Sequence, residues 1–590
     1  MITTYAFQNE LPKLPVPRLE DTRLKLLQAV APLVDADTLE TTRQAADAFF
    51  AENGPGPALQ KKLLEWDRSL SGSWLKPFWD ELYLNHRAPL HTSSNFALLL
   101  DPEHLPPRQD MASRGVWLMQ AAARFHIELQ QERIPPETIR GIPLDMSQYA
   151  AFLASMRIPG TPGDQLHTGS DLQHPLHVCV ALRGHLYRLD VTTAAGQPYS
   201  IDSLTGALQL LLDTAPADGP DIGIYTTADR DRAAQLHQQL MQSSTNRDSY
   251  LQLRDALFLL VLDEHSQGKQ ETLHNLLLDG RDRWYDKPVQ LVVTPEGELG
   301  INIEHAGIDG TTCLAILDRL LQHQPEQNTS NEPVNCQPLD WELDASLQEQ
   351  LSRQQERNRS TLASYSLHIE PFTGFGSDTI KQLGFSPDAF FHMALQIAQY
   401  RTFGTLRSTY ESVSMRAYNE GRTECLRPSR SANLELALAM TEDNRSPGEL
   451  LELMQQAGSM HGTDMRQAQQ GLGAERHLFG LQKIQARFGK ELDVPELPDL
   501  YRDPGYLALR HDFLSTSNMS SPLVHSCAFG PVVEDGYGIF YLLLAERIVI
   551  NLSSYRRNAD SANELVRQLV KALEEMRDIV LAASAGRKGQ

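Results

Sequence analysis

The sequence predicts two comparable α/β domains. Three observations carry that expectation: the 590-residue length, helical stretches mixed with hairpin-rich sheet in both halves, and one polar, proline-punctuated segment between them. Beyond about 300 residues single hydrophobic cores stop growing and chains divide. Gln322 to Pro338 contains Pro325, Pro333 and Pro338 among several Asn and Gln, the composition of a linker. The boundary is therefore expected near residue 345, with an N-terminal domain of 1–345 and a C-terminal domain of 346–590.

The N-terminal half opens with an extended arm, Leu11 to Pro17, in which Pro12, Pro15 and Pro17 block helix. Helical periodicity follows over Leu24 to Val34, Thr41 to Phe50, Leu59 to Leu70 and Arg114 to Arg133. His177 to Leu182 and Leu186 to Val191, separated by Gly184, read as a hairpin. Ser203 to Leu212 and Ala228 to Met241 read as helices, and 249–263 as a strand-like apolar run. Val289 to Val293 and Leu299 to Glu304 flank the turn signal Pro295-Glu296-Gly297, a second hairpin. A helix opens at Asp309-Gly310-Thr311.

In the second half, Ser386-Pro387-Asp388 starts a helix to about Tyr400, with Pro in its first turn. Arg407 to Tyr418 alternates like a strand, Gln467 to Phe488 reads as one helical stretch, and Ala528 to Val532 and Gly536 to Asn551 supply more strands. Ser561 to Glu564 is a capping box opening a last helix with Leu565, Leu569, Leu573, Met576 and Val580 on one face.

Composition narrows the function classes. Apolar content of 41% and charged content of 22% are ordinary for globular proteins. A formal charge of −22 argues against wrapping nucleic acid or coating an anionic membrane, while leaving room for an anionic ligand in a local basic pocket. The five cysteines (Cys179, Cys313, Cys336, Cys425 and Cys527) are scattered and odd in number. That argues against a disulfide framework and a structural zinc site, and fits a reducing compartment. The first residues lack a secretory pattern, the last ones lack a retention or peroxisomal address, and no stretch approaches the ~18 apolar residues of a membrane helix. A cytoplasmic location is expected.

His305 is the leading candidate for chemistry. It sits where a strand ends and a helix begins, a junction that exposes a side chain while rigid elements hold it, as a general base requires. By itself such a histidine is more often structural. The flanks alter that weighting. Leu11 to Pro17, Met146-Ser147-Gln148-Tyr149, Arg157-Ile158-Pro159-Gly160, Arg283 to Lys287 and Glu304-His305 occur in order. So do Thr409 to Ser412, Gly421 to Glu424, Arg476-His477-Leu478, Ser515-Thr516-Ser517 and Gly530-Pro531-Val532. Together they resemble the choline/carnitine acyltransferase family along nearly the whole chain, most closely its carnitine O-acyltransferases.

The resemblance implies two similar domains of the chloramphenicol-acetyltransferase-like, CoA-dependent acyltransferase fold, with an active-site tunnel at their interface. It implies reversible transfer of an acyl group between CoA and an alcohol, with His305 as general base. It gives Asp309 a part in setting the imidazole's orientation and charge, although Asp309 is equally suited to cap the helix. Ser517 is the implied oxyanion donor. For the acceptor, Tyr410, Ser412 and Thr423 provide hydroxyls and Arg476 the cation for a carboxylate, which carnitine carries and choline does not. In this chain Glu475 precedes that arginine where many relatives have Asp.

For CoA the resemblance points to Lys381, Asp388 and Asn518. Ser377 stands where relatives have a second lysine, and Gly462 where they have an arginine, so CoA contacts are the thinnest part of the match. Cys527, three residues before Gly530, lies where short-chain members carry a bulky residue and longer-chain members glycine. Its intermediate volume implies short or medium acyl groups. The expected partners are thus acyl-CoA and carnitine, with no tightly bound cofactor, no metal, no nucleic acid, no membrane span and a monomeric state. Two alternatives remain at this point: an acyltransferase for choline or another small quaternary alcohol, and a non-catalytic acyl-CoA-binding regulator.

Overall fold

The computed structural model describes residues 2–107, 110–169, 174–322, 324, 329–442 and 445–588. The chain forms two compact units, each a mixed α/β body around one large sheet. The first comprises residues 1–9, 80–367 and 521–530, the second 10–79, 368–520 and 531–590. The division therefore differs from the one expected near residue 345. Helix Ala345–Ser364, beyond the supposed boundary, packs on the 3-10 turn Ile222–Thr227 and on helix Lys269–Leu278 of the first unit. Residues 10–79 and 521–530 also exchange sides, which no linker composition announces. Part of the Gln322 to Pro338 segment lies outside the described residues. Its end, Cys336–Pro338, pairs with Tyr187 to Leu189.

The first unit holds an eight-stranded sheet. Its order is Cys336–Pro338, His185–Asp190, His177–Leu182, Leu259–Leu262, Val289–Val293, Leu299–Ile303, Phe96–Leu100 and Val524–Phe529. Leu259–Leu262 runs parallel to both neighbours, while the last three pairings are antiparallel. The inner strands are buried throughout, as their near-continuous apolar runs require when helices cover both faces. Two polar side chains, Gln290 and Asn302, interrupt these apolar runs. Gln290 accepts from the Trp284 amide at 2.7 Å, and Asn302 donates to the Leu276 carbonyl at 2.8 Å.

The second unit holds a six-stranded sheet in the order Tyr365–Phe372, Ile548–Tyr555, Tyr537–Leu543, Leu514–Asn518, Thr409–Ser414 and Thr423–Leu426. Leu514–Asn518 is parallel to both neighbours. Helices Pro387–Phe403 and Ala559–Lys588 pack together over it, and Leu565, Leu569, Leu573, Met576 and Val580 are all in the core, as their spacing requires.

Three local expectations differ. Ser244–Asp255 is a helix, capped by the Ser243 hydroxyl, with Ser249, Tyr250 and Leu253 inward; only Leu259–Leu262 of that apolar run is strand. The stretch from Gln467 is two helices, because Pro447–Gln469 ends before Gly471, whose φ of +68° leaves the helical region. The final helix starts at Ala559, so Ser561 lies inside its first turn rather than at its cap. Among the described residues no helix is long and apolar enough to cross a membrane.

Candidate active site

In the first unit, strand Leu299–Ile303 delivers His305 to the loop before helix Gly310–Leu321. The imidazole Nδ1 lies 2.7 Å from the Ile308 carbonyl oxygen. A carbonyl only accepts, so Nδ1 carries the proton and the ring's lone pair is on Nε2, the tautomer a base needs. Two rings flank the imidazole, Tyr83 and Phe96, each with centroids 5.2 Å away. Asp309 occupies the N-cap position but makes no side-chain cap bond. Its Oδ1 is 3.8 Å from His305 Nδ1, and its Oδ2 accepts from Gln148 Nε2 at 2.9 Å. Gln148 Oε1 in turn accepts from the Asp309 amide and the Thr312 hydroxyl. The carboxylate is thus fixed near the ring as a source of negative potential, while the Nδ1 proton goes to the backbone.

Cys527 belongs to the same unit. It pairs with Leu98, and Phe529 pairs with Phe96. Residues two apart share a face, so Cys527 lies about 7 Å along the sheet face that carries the His305 neighbour Phe96. It is buried, and burial together with nearby Cys313 pushes its thiol well above the ordinary range, so it acts as a small apolar wall.

In the second unit the cation sits among hydroxyls. Tyr410 and Ser412 alternate along Thr409–Ser414, and Thr423 pairs with Ser414, so all three share a face. Arg476, in the first turn of Glu475–Phe488, is 5% exposed. Its Nε donates to the Thr423 carbonyl at 3.0 Å, and its Nη2 to Tyr410 Oη at 2.8 Å and Thr423 Oγ1 at 3.5 Å. The guanidinium lies 4.2 Å from the Trp79 ring centroid. Among the described residues none of its hydrogen-bond partners is a carboxylate. Glu424 is close enough to feel the charge, but burial lifts its carboxyl to about 7 against the opposing pull of Arg476. Glu475 behaves in the opposite way. Burial would raise its carboxyl, but ion pairs with Arg427 (3.1 Å) and Arg510 outweigh that and hold it at about 2. The Glu475 departure thus anchors the helix start rather than neutralising Arg476.

Ser517 lies on the central strand. Ser515 is level with Tyr410 and shares a face with Ser517, so the serines line the same side as Tyr410, Ser412 and Thr423. Asn518 points to the opposite side, level with Tyr541 on the next strand, and accepts from Ser520 at 2.6 Å. Asp388 is on that side too. It accepts from Tyr541 Oη at 2.7 Å and bonds His461 Nε2 at 2.9 Å. Asp388 therefore belongs to an internal network on the side of the strand away from Ser517. Lys381 is exposed and pairs with Asp378 at 3.0 Å. Asp388, Glu411 and His461 bring one donor atom each within 4.8 Å of one another, among the described residues the one group with the makings of a metal site.

A family model for choline/carnitine O-acyltransferases matches residues 14–574. This chain belongs to that family. It is 30% identical to human mitochondrial carnitine O-palmitoyltransferase 2, covering 98% of this chain and 93% of the relative. It is also 30% identical to human carnitine O-acetyltransferase (98% and 94%) and to zebrafish choline O-acetyltransferase (96% and 93%). The family member is an acyltransferase, and its relatives' names span two acceptors and two acyl lengths. Sequence reasoning missed the supporting groups: Gln148 behind Asp309, Tyr83 and Phe96 around His305, and Trp79 under Arg476. Gln148 stood in a motif already singled out, but nothing in its spacing tied it to a residue 161 positions away.

Proposed function

We propose that this acyltransferase moves short- or medium-chain acyl groups reversibly between CoA and the hydroxyl of carnitine. One observation carries the acceptor assignment. The buried Arg476 guanidinium hydrogen-bonds only a carbonyl and hydroxyls, while the nearby Glu424 carboxyl, which accepts from the Arg476 amide at 3.3 Å, is lifted by burial to about 7, so a substrate carboxylate completes the ion pair. Choline has nothing to offer it. Acyl length follows from Cys527, smaller than a methionine and larger than a glycine on the sheet face beside Phe96.

In the proposed reaction both substrates are held at once, so no acyl-enzyme is needed and proximity supplies much of the rate. His305 Nε2 takes the acceptor's hydroxyl proton as the oxygen attacks the thioester carbonyl. Nδ1 keeps its proton on the Ile308 carbonyl, and Asp309 favours the imidazolium that forms. Ser517 donates to the tetrahedral oxyanion. As the intermediate collapses, the imidazolium returns its proton to the departing CoA sulfur.

Thiol release tests this reading with acetyl-, butyryl-, octanoyl- and palmitoyl-CoA, each against carnitine and choline. Carnitine-dependent release that peaks at or below octanoyl supports it. Preference for choline, or for palmitoyl-CoA, overturns the corresponding half.

A further inference from the structure

The sequence singles out Arg157-Ile158-Pro159-Gly160, and the His305 chemistry uses none of it. Arg157 lies on strand Ser155–Ile158, is wholly buried, and sends three nitrogens to three separate partners. Nε donates to Asp164 Oδ2 at 2.8 Å, Nη1 to Glu304 Oε1 at 2.8 Å and Nη2 to the Tyr83 carbonyl at 2.6 Å. Two of these reach the immediate surroundings of His305. Glu304 precedes it, and both Glu304 oxygens lie 3.2 Å from the amide of Ala306, the residue that follows it. Tyr83 supplies one of the two rings against the imidazole.

The guanidinium is itself fixed from behind. Asp164 also accepts from Arg230 Nε at 2.7 Å, Arg87 Nη1 at 3.2 Å and the Gly160 amide at 3.1 Å. Arg230 pairs with Asp286 at 2.7 Å, and the Asp286 carbonyl accepts from the Arg157 amide at 2.9 Å. Strand Gln165–Thr168 completes the hairpin with Ser155–Ile158, and its Leu166 lies beneath the His305 loop. A Cβ at Gly307 would approach Leu166 Cδ2 to 3.0 Å and Ala151 Cβ to 2.8 Å, so the loop has no slack on that side.

We propose that Arg157 is a positioning residue for acyl transfer, setting the imidazole through Glu304 on one side and Tyr83 on the other. It does not touch substrate. The inference rests on the reading of His305 as general base. A planar fork with three directed donors does what an ammonium group cannot, because one point charge does not hold a carboxylate and a carbonyl in fixed relative places. Loosening a base by about 1 Å costs about 10²-fold in turnover while leaving substrate affinity alone.

The test uses the full-length chain with carnitine and octanoyl-CoA and measures kcat and both KM values. Arg157→Lys and Glu304→Gln are each expected to lower kcat about 10²-fold with both KM values within about threefold of wild type. Arg157→Ala is expected to regain turnover when guanidinium is added at millimolar concentrations, a rescue that a purely architectural side chain would not give. Wild-type kcat in folded Arg157→Lys and Glu304→Gln overturns the proposal, and so does a loss expressed mainly in KM. Should Arg157→Ala fail to fold, the other two variants decide. His305→Ala is assayed alongside: if it keeps wild-type turnover the general-base reading fails, whereas its loss beside an unaffected Arg157→Lys leaves that reading intact and removes only this proposal.

Discussion

Replacing Arg476 with Met isolates the charge on which the proposed acceptor choice rests. Methionine keeps an unbranched chain over Trp79 and removes the guanidinium that contacts Tyr410 and Thr423. Two unit charges about 4 Å apart attract by about 4 kcal/mol at an effective dielectric of about 20. Desolvating the carboxylate offsets part of this, and removing one partner of a buried charge pair costs about 2–5 kcal/mol. At about 3 kcal/mol, and 1.4 kcal/mol per decade, kcat/KM for carnitine should fall about 10²-fold. Choline brings no carboxylate, so its kcat/KM should change by less than about threefold. The fold should tolerate the change, because losing a buried cation relieves a desolvation cost while it gives up the ring contact and the hydroxyl bonds. The assay is initial-rate thiol release at one saturating acyl-CoA with each acceptor varied, after confirming an unchanged melting temperature. Equal losses with both acceptors, or no loss with carnitine, would refute the reasoning.

Cys527→Met should shift the acyl-CoA profile towards acetyl, and Cys527→Gly should lengthen it, because the side chain stands on the buried sheet face beside Phe96; identical profiles in all three proteins would remove it as a gate. Asp309→Asn keeps the shape that Gln148 holds but removes the charge 3.8 Å from the imidazole, so kcat should fall about tenfold with carnitine KM unchanged. Acid unfolding should show Glu475. Its carboxyl is held at about 2 in the fold, against 4.5 for a free glutamate. The stability it contributes is therefore fully present above about pH 4.5 and is lost as pH falls towards 2, on the order of 3 kcal/mol in all. Glu475→Gln should show a flatter stability profile across that window, measured by urea unfolding at each pH.

Much of this was legible from residue patterns because the physics was local. The β-branched run Val289 to Val293, the turn at Gly297 and the helix after Asp309 fixed the strand–loop–helix setting of His305 from sequence alone. The last helix was legible for the same reason: its five inward residues recur at helical spacing, and only its cap was displaced, because Arg556–Asn558 already runs into it. What stayed hidden was long-range. One of the two sheet partners of Phe96–Leu100 is Val524–Phe529, more than 400 residues away, and no periodicity encodes that pairing. Asn518 follows Ser517, yet neighbours on a strand face opposite ways, and its place beside Tyr541 depends on register with another strand. Asp388 was legible as a residue type, but its bonds to Tyr541 and His461 join it to residues 153 and 73 positions away.

The most direct test of the account compares purified wild type with His305→Ala at matched melting temperature, following acylcarnitine formed from octanoyl-CoA and carnitine. The account predicts acylcarnitine and free CoA in equal amounts from wild type and a rate about 10³-fold lower from the variant. A His305→Ala rate within tenfold of wild type would contradict it, because the proton would then be leaving by another route.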